Sequence, residues 1–259
     1  MMKRATAAYM LALVPALLLA RNEPVASKDV TAVTLPRGAR IGIVSLLDSE
    51  VTHFHGSTDI KASFLKTHQV DWPVDAMLTD AVKQRMAQMG LEAVPMLPSE
   101  VLSRGRQGFF IDNAVSKNLP KACATELTQM AANEHLDAMI ILAPGLNDSA
   151  HAGGTRRKDL PDYLRGWGFV TKAEDPPGTK PAVFNMTEML LVSSRGGTAL
   201  LRDVVWGGEY NYNWPNFAAA PDQKDLPPAE LDKLRPYFVE ILARQASQLF
   251  DHIEVVGTQ

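Results

Sequence analysis

The feature that most constrains this chain is the run Ala138 to Ala143, Ala-Met-Ile-Ile-Leu-Ala, in which no side chain is polar. A strand with one wet face alternates polar and apolar residues, so a run without alternation has to be covered on both sides. Arg40 to Leu47 (RIGIVSLL) has the same profile. Between the two lie helical patterns. Pro73 suits the first turn of a helix reaching Met89, with Val74, Met77, Leu78, Ala81, Val82 and Met89 at helical spacing. Gly90 follows where a left-handed terminal residue is wanted, and Leu91 to Met96, bounded by Pro98, reads as a strand. A second helix begins at Pro120 and carries Cys123, Leu127, Met130 and Ala131 on one face. Strand, helix, strand, helix, strand implies parallel pairing through crossover helices.

The second half is richer in strands. Tyr163 to Thr171 alternates, with Tyr163, Trp167 and Phe169 on one face and Gly166 and Gly168 on the other. Val183 to Ser194 and Thr198 to Trp206 are strand-like runs joined at Arg195-Gly196-Gly197, a hairpin signal. These three strands are expected to form an antiparallel meander joined to the first sheet. Phe238, Ile241, Leu242, Leu249 and Phe250 give the segment Pro236 to His252 the apolar stripe of a long C-terminal helix. The expected fold class is α/β (α+β): one domain over residues 38–259, with a mixed sheet of about six strands. Residues 27–37 lack a clear period and read as a linker.

Ahead of them, Lys3 and Arg4 precede an uncharged, mostly apolar stretch from Ala5 to Ala20, then small residues ending at Pro24-Val25-Ala26. This is the order of a secretory signal peptide, expected over residues 1–26 and cleaved before Ser27. The stretch is short for a membrane span and contains Pro15, and no other segment is long and apolar enough. The mature form is therefore expected in the periplasm or outside the cell, with no transmembrane segment. Net charge is −3 for the chain and −5 without residues 1–26, a balance that argues against nucleic acid as a partner. The one cysteine, Cys123, cannot form an intramolecular disulfide and reads as a small buried hydrophobe. No cysteine stands beside the expected cleavage position, so no lipid anchor is expected there.

Three segments are candidate sites. His53-Phe54-His55 would put two imidazoles on one face of a strand, where Asp48, Glu50, Asp59 or His68 could complete a metal site; the competing reading, a polar loop, is preferred and no metal is expected. His151 to Lys158, with Gly153-Gly154 beside Arg156 and Arg157, could cradle an anion but lacks the spacing of a nucleotide-binding loop. Trp206, Tyr210, Tyr212, Trp214 and Phe217 form an aromatic-rich segment in which Tyr210, Tyr212 and Trp214 alternate with Glu209, Asn211 and Asn213. Such a row can anchor a protein partner, ahead of stacking on sugars, and the competing reading, a half-buried strand end, is the commoner one. The recognised hydrolase, zinc-protease, redox and dinucleotide motifs are all missing, so no catalytic residue is nominated and no cofactor is expected.

The order of elements resembles a group of bacterial envelope domains. The group includes the TolB amino-terminal domain, the curli-secretion lipoprotein and the lipoprotein activators of penicillin-binding proteins. The resemblance lies in Arg40-Ile41-Gly42-Ile43-Val44 after the export segment, the helix ending at Gly90, the strand Leu91 to Met96, the hairpin Leu190 to Leu201 and the final helix. It covers most of residues 38–256 and implies a non-catalytic envelope protein that binds another envelope protein. Two features depart from the pattern: the chain lacks the anchoring cysteine of the lipoprotein members, and Asp48 to Trp72 looks like an insertion. The alternative is an envelope hydrolase acting on cell-wall or carbohydrate substrate, with a site near His53, His55 and Glu209.

Overall fold

The computed structural model describes residues 32–59, 61–105, 120–145, 164–173, 182–193, 220 and 222–257, and residues 199–204 by their backbone. The run at 138 forms strand β6 (Ala138–Pro144) in the middle of the molecule. Its side chains divide between two cores. Ala138, Ile140 and Leu142 face helices α1 (Val74–Met89) and α5 (Arg235–Phe250). Met139, Ile141 and Ala143 face α3 (Lys121–Asn133) and the short α2 (Glu100–Gly105). All six are fully buried. The absence of alternation in the sequence is thus the signature of helices on both faces of the sheet.

Beside β6 lie β2 (Arg40–Ser45) and then β5 (Glu92–Met96), all three parallel, as the strand and helix alternation implies. Helix α1 ends where Gly90 adopts a left-handed φ of 75°. The N–H groups of Gly90 and Leu91 turn back to the carbonyls of Ala87 and Met86, satisfying two of the helix's last acceptors. Cys123 lies in the α3 core, and burial pushes its thiol pKa up, so it stays protonated and inert.

On the other side of β6 runs the longest strand, β8 (Ala182–Ser193). Residues 187–193 of β8 pair with β6, while residues 182–186 pair antiparallel with β7 (Gly166–Lys172). Strand β9 (Ala199–Val204) pairs antiparallel with β8, completing the expected meander. Beyond β7 come β3 (Glu50–Gly56), parallel to it, and β4 (Phe64–Gln69), antiparallel to β3. The sheet order is β4-β3-β7-β8-β6-β2-β5, with β9 beside β8 off this path. The fold is a single mixed α/β domain, with more strands than the sequence implies.

Three expectations need correction. The segment read as an insertion, Asp48 to Trp72, supplies β3 and β4 and is integral to the sheet. Val33–Pro36, read as part of a linker, form strand β1, which pairs in parallel with β10 (Ile253–Val256) in a separate two-stranded sheet. Finally, the C-terminal helix is α5, Arg235 to Phe250, but it is followed by β10 and preceded by the short α4 (Pro228–Asp232). Strands of four residues are too short to show a period.

Candidate functional site

The β3–β4 hairpin carries the only candidate cluster that falls within the described residues. Val51, His53 and His55 alternate with Thr52 and Phe54, and register places His68, Lys66 and Phe64 of β4 on the same face. Phe169 and Thr171 of β7 lie opposite His53 and His55, on that face too. The three histidines therefore belong to one patch. His53 and His55 are each 1% exposed and His68 7%.

Thr171 Oγ1 lies 2.8 Å from His53 Nε2 and 2.8 Å from His55 Nδ1. One hydroxyl has one proton, so at most one imidazole can accept it and the other donates its own N–H. The rings are packed as aromatics. His53 stacks on Phe169 with centroids 4.3 Å apart, meets Phe64 edge-on at 4.9 Å, and lies 6.0 Å from His68. His55 stacks on Phe64 at 5.0 Å. Burial, reinforced by the neighbouring His68 and His55, lowers the His53 pKa to about 3. His68 is also pushed down, by burial and then by Lys66. His53 is thus neutral and sealed at neutral pH, whereas a general base needs contact with the proton it removes.

Above His55 and Phe64 is an open hollow of about 480 Å³, bordered by Lys61, Lys224 and Asp222. Lys224 Nζ sits 5.3 Å from the centre of the Phe64 ring, and Lys66 Nζ pairs with Asp225 at 2.7 Å. A segment near the start of α4 thereby lies across the histidine face of the hairpin.

Of the groups considered as metal ligands, His68 joins the pair. Glu50 instead accepts a hydrogen bond from the Gln69 side chain, on the opposite face of the hairpin. Among the described residues no three His, Cys, Asp or Glu side chains are grouped to hold a metal ion. Glu209, the anion-loop candidate His151 to Lys158 and the aromatic candidates Trp206, Tyr210, Tyr212, Trp214 and Phe217 lie outside the described residues, as do residues 1–26 of the export segment. No helix among the described residues is long and apolar enough to cross a membrane.

A feature the sequence reading missed is the outer edge of β4. The N–H of Val70 bonds to the carbonyl of Ser49, so in this antiparallel ladder Val70, His68, Lys66 and Phe64 direct their backbone groups to β3. Leu65, Thr67 and Gln69 direct theirs away from the sheet. Among the described residues no strand lies beyond β4 in the sheet order. Leu65 is 46% exposed and is paired with Phe54, which packs against Leu164, Val170, Phe184 and Met186. The opposite edge is different. On β5 the N–H of Glu92 bonds inward to Ala39, which turns position 95 outward, and position 95 is a proline with no N–H to offer.

No protein-family model matches the sequence, and no curated protein matches it. Similar solved structures include the PelC dodecamer of Paraburkholderia phytofirmans, at 7% identity over 87% of this chain and 95% of that one, with a TM-score of 0.30. Lipoprotein GNA1162 of Neisseria meningitidis is 13% identical over 80% of this chain and 99% of that one, with a TM-score of 0.28. Similarity of this size carries neither topology nor function over to this chain.

Proposed function

We propose that this chain is an accessory protein of the cell envelope, exported to the periplasm, which works by contacting protein rather than by catalysis. The observation that carries the reading is the edge of β4, on which no strand lies among the described residues: a row of outward backbone groups beside the exposed Leu65, in a sheet whose other end carries Pro95. Such an edge takes up an extended strand, whose main-chain bonds supply affinity. The sealed histidine cluster supports the same reading, because it braces the hairpin against β7 and holds that edge in position. Lys3, Arg4 and the apolar run after them support export, and the net charge favours a protein partner over nucleic acid.

Two measurements on the full chain test this. Cell fractionation with intact-mass analysis should find the protein in the periplasm, beginning at or near Ser27. A photo-reactive residue at Leu65 should capture protein in cells, while one at the exposed Lys83 of α1 should not. A cytoplasmic protein of full-length mass, or equal capture at both positions, overturns the reading.

A further inference from the structure

We propose that the β3–β4 hairpin is an acid-released flap: in mildly acidic solution it swings away from β7 as one body, with His53 and His68 taking up protons as they meet water, while β2, β5 and β6 keep their fold. The flap stands whether or not β4 contacts another protein.

The hairpin is seated by imidazole more than by hydrocarbon. Of the four fully buried side chains in its two strands, Val51, His53, His55 and His68, three are histidines. Among the described residues His53 Nδ1 and His68 Nε2 are buried with no hydrogen-bond partner, so closing leaves two ring nitrogens unsatisfied that water satisfies on opening. The two legs are tied to each other at their base, where the Val70 N–H meets the Ser49 carbonyl at 2.9 Å, and they move together. They spring from fixed posts. The Leu46 N–H bonds to Leu142 of β6 at 2.7 Å, and Trp72 is buried with its indole N–H on Asp232 of α4 at 2.8 Å. The charges around the cluster do not hold a proton on His53 in the closed state. Phe64, Phe169 and Thr171 pack against its ring, and His68 and His55 oppose a charge on it. Lys66 opposes a charge on His68, while Asp225, the ion-pair partner of Lys66, favours one. Lys61, Lys224 and Asp222 border the hollow over His55, and Glu50 and Lys172 sit on the opposite face of their strands. Closing therefore expels protons, and acid favours opening. Burial lowers the His53 ring from 6.5 to about 3, so each pH unit below about 6.5 multiplies the open fraction by up to about ten through this residue alone.

Amide hydrogen exchange on the purified chain tests this. Global unfolding frees the same rings, so the mark of a flap is local opening beneath the global process. At any one pH the amides of β3 and β4 should be about tenfold or more less protected than those of β6. Dilute urea should hardly change their exchange while speeding that of β6, because a local opening exposes little surface. Between pH 7.5 and 5, with the intrinsic rate divided out, hairpin protection should fall by about thirtyfold or more. His53→Gln keeps a hydrogen-bonding group for Thr171 but takes up no proton, and should shrink that fall to a few-fold. Should this variant not fold, deuterium uptake at the ring Cε1 positions of the unaltered chain decides. Relative to free histidine, it should accelerate at all three rings in step with the hairpin amides. Equal protection of hairpin and β6, or hairpin exchange that responds to urea as steeply as β6, overturns the flap. Hairpin protection that ignores pH, a full pH dependence in His53→Gln, or rings that stay shielded while the amides open overturns the part given to the histidines.

Discussion

The side-chain amide of Gln245 donates a hydrogen bond of 2.9 Å to the main-chain carbonyl of Thr187, at a place where neither residue meets solvent. The Thr187 hydroxyl lies 2.7 Å from Asn185 Oδ1 and 3.1 Å from Gln245 Oε1, two acceptors that share its one proton. Helix α5 is thereby keyed to β8 at the point where that strand passes from β7 to β6. Gln245→Ala strands a buried carbonyl and opens a cavity, and should cost about 3 kcal/mol in a urea melt. An unchanged midpoint would mean that the amide does no more than fill space.

The histidine cluster predicts how stability changes with pH. Above about pH 6.5 the ring of His53 is neutral in both folded and unfolded chains and contributes no slope. Below it the unfolded chain binds a proton that the folded chain refuses until pH is near 3, the value to which burial lowers the ring. Stability should therefore fall as pH drops from about 6.5 toward 3, by on the order of 5 kcal/mol from this residue. His68, shifted the same way, adds to the loss. Denaturant melts across that range should show the slope, and His53→Phe should flatten much of it.

Glycines in β7 separate two kinds of constraint. A Cβ on Gly168 would overlap the carbonyl oxygen of Thr52, its register partner on the adjacent parallel strand β3. Gly168→Ala should cost about 3 kcal/mol by forcing the two strands apart. Gly166 has open space around it but a φ of 64°, so Gly166→Ala should cost only about 1 kcal/mol of backbone strain. Thermal melts of the pair should keep that order.

Pro95 predicts a gain of unwanted pairing. Pro95→Val adds an outward N–H to β5, next to Leu97, which is 77% exposed. The variant should aggregate faster on concentration or warming, as read by light scattering, with its melting point little changed. No increase over the parent chain would mean that the flanking chain, not the proline, protects this edge.

How much of this was legible in the sequence depended on whether the partners of a residue were of its own kind. Ala138 to Ala143 could be read because both faces are apolar. The α5 stripe of Phe238, Ile241, Leu242, Leu249 and Phe250 could be read because helical spacing is local, and all five are buried. The hairpin could not. Its inner face is built of His53, His55 and His68, which look polar in a list of residues. They become core only through Thr171, 118 residues after His53, and the rings of Phe64 and Phe169. The place of β4 at the end of the described sheet depends on strand order, which no local pattern encodes.

The pairing of β1 with β10 has a mechanical consequence. The first described strand and the last lie side by side and parallel, Val33 against Ile253 through Pro36 against Val256. A pull on the two ends of the domain therefore draws the strands past each other lengthwise. Every bond of that ladder is strained together, and none can give way first as in a hairpin opened from one end. A domain held by its leading end and loaded at its trailing end would resist as a shear joint, with its unfolding rate under force set by this short ladder.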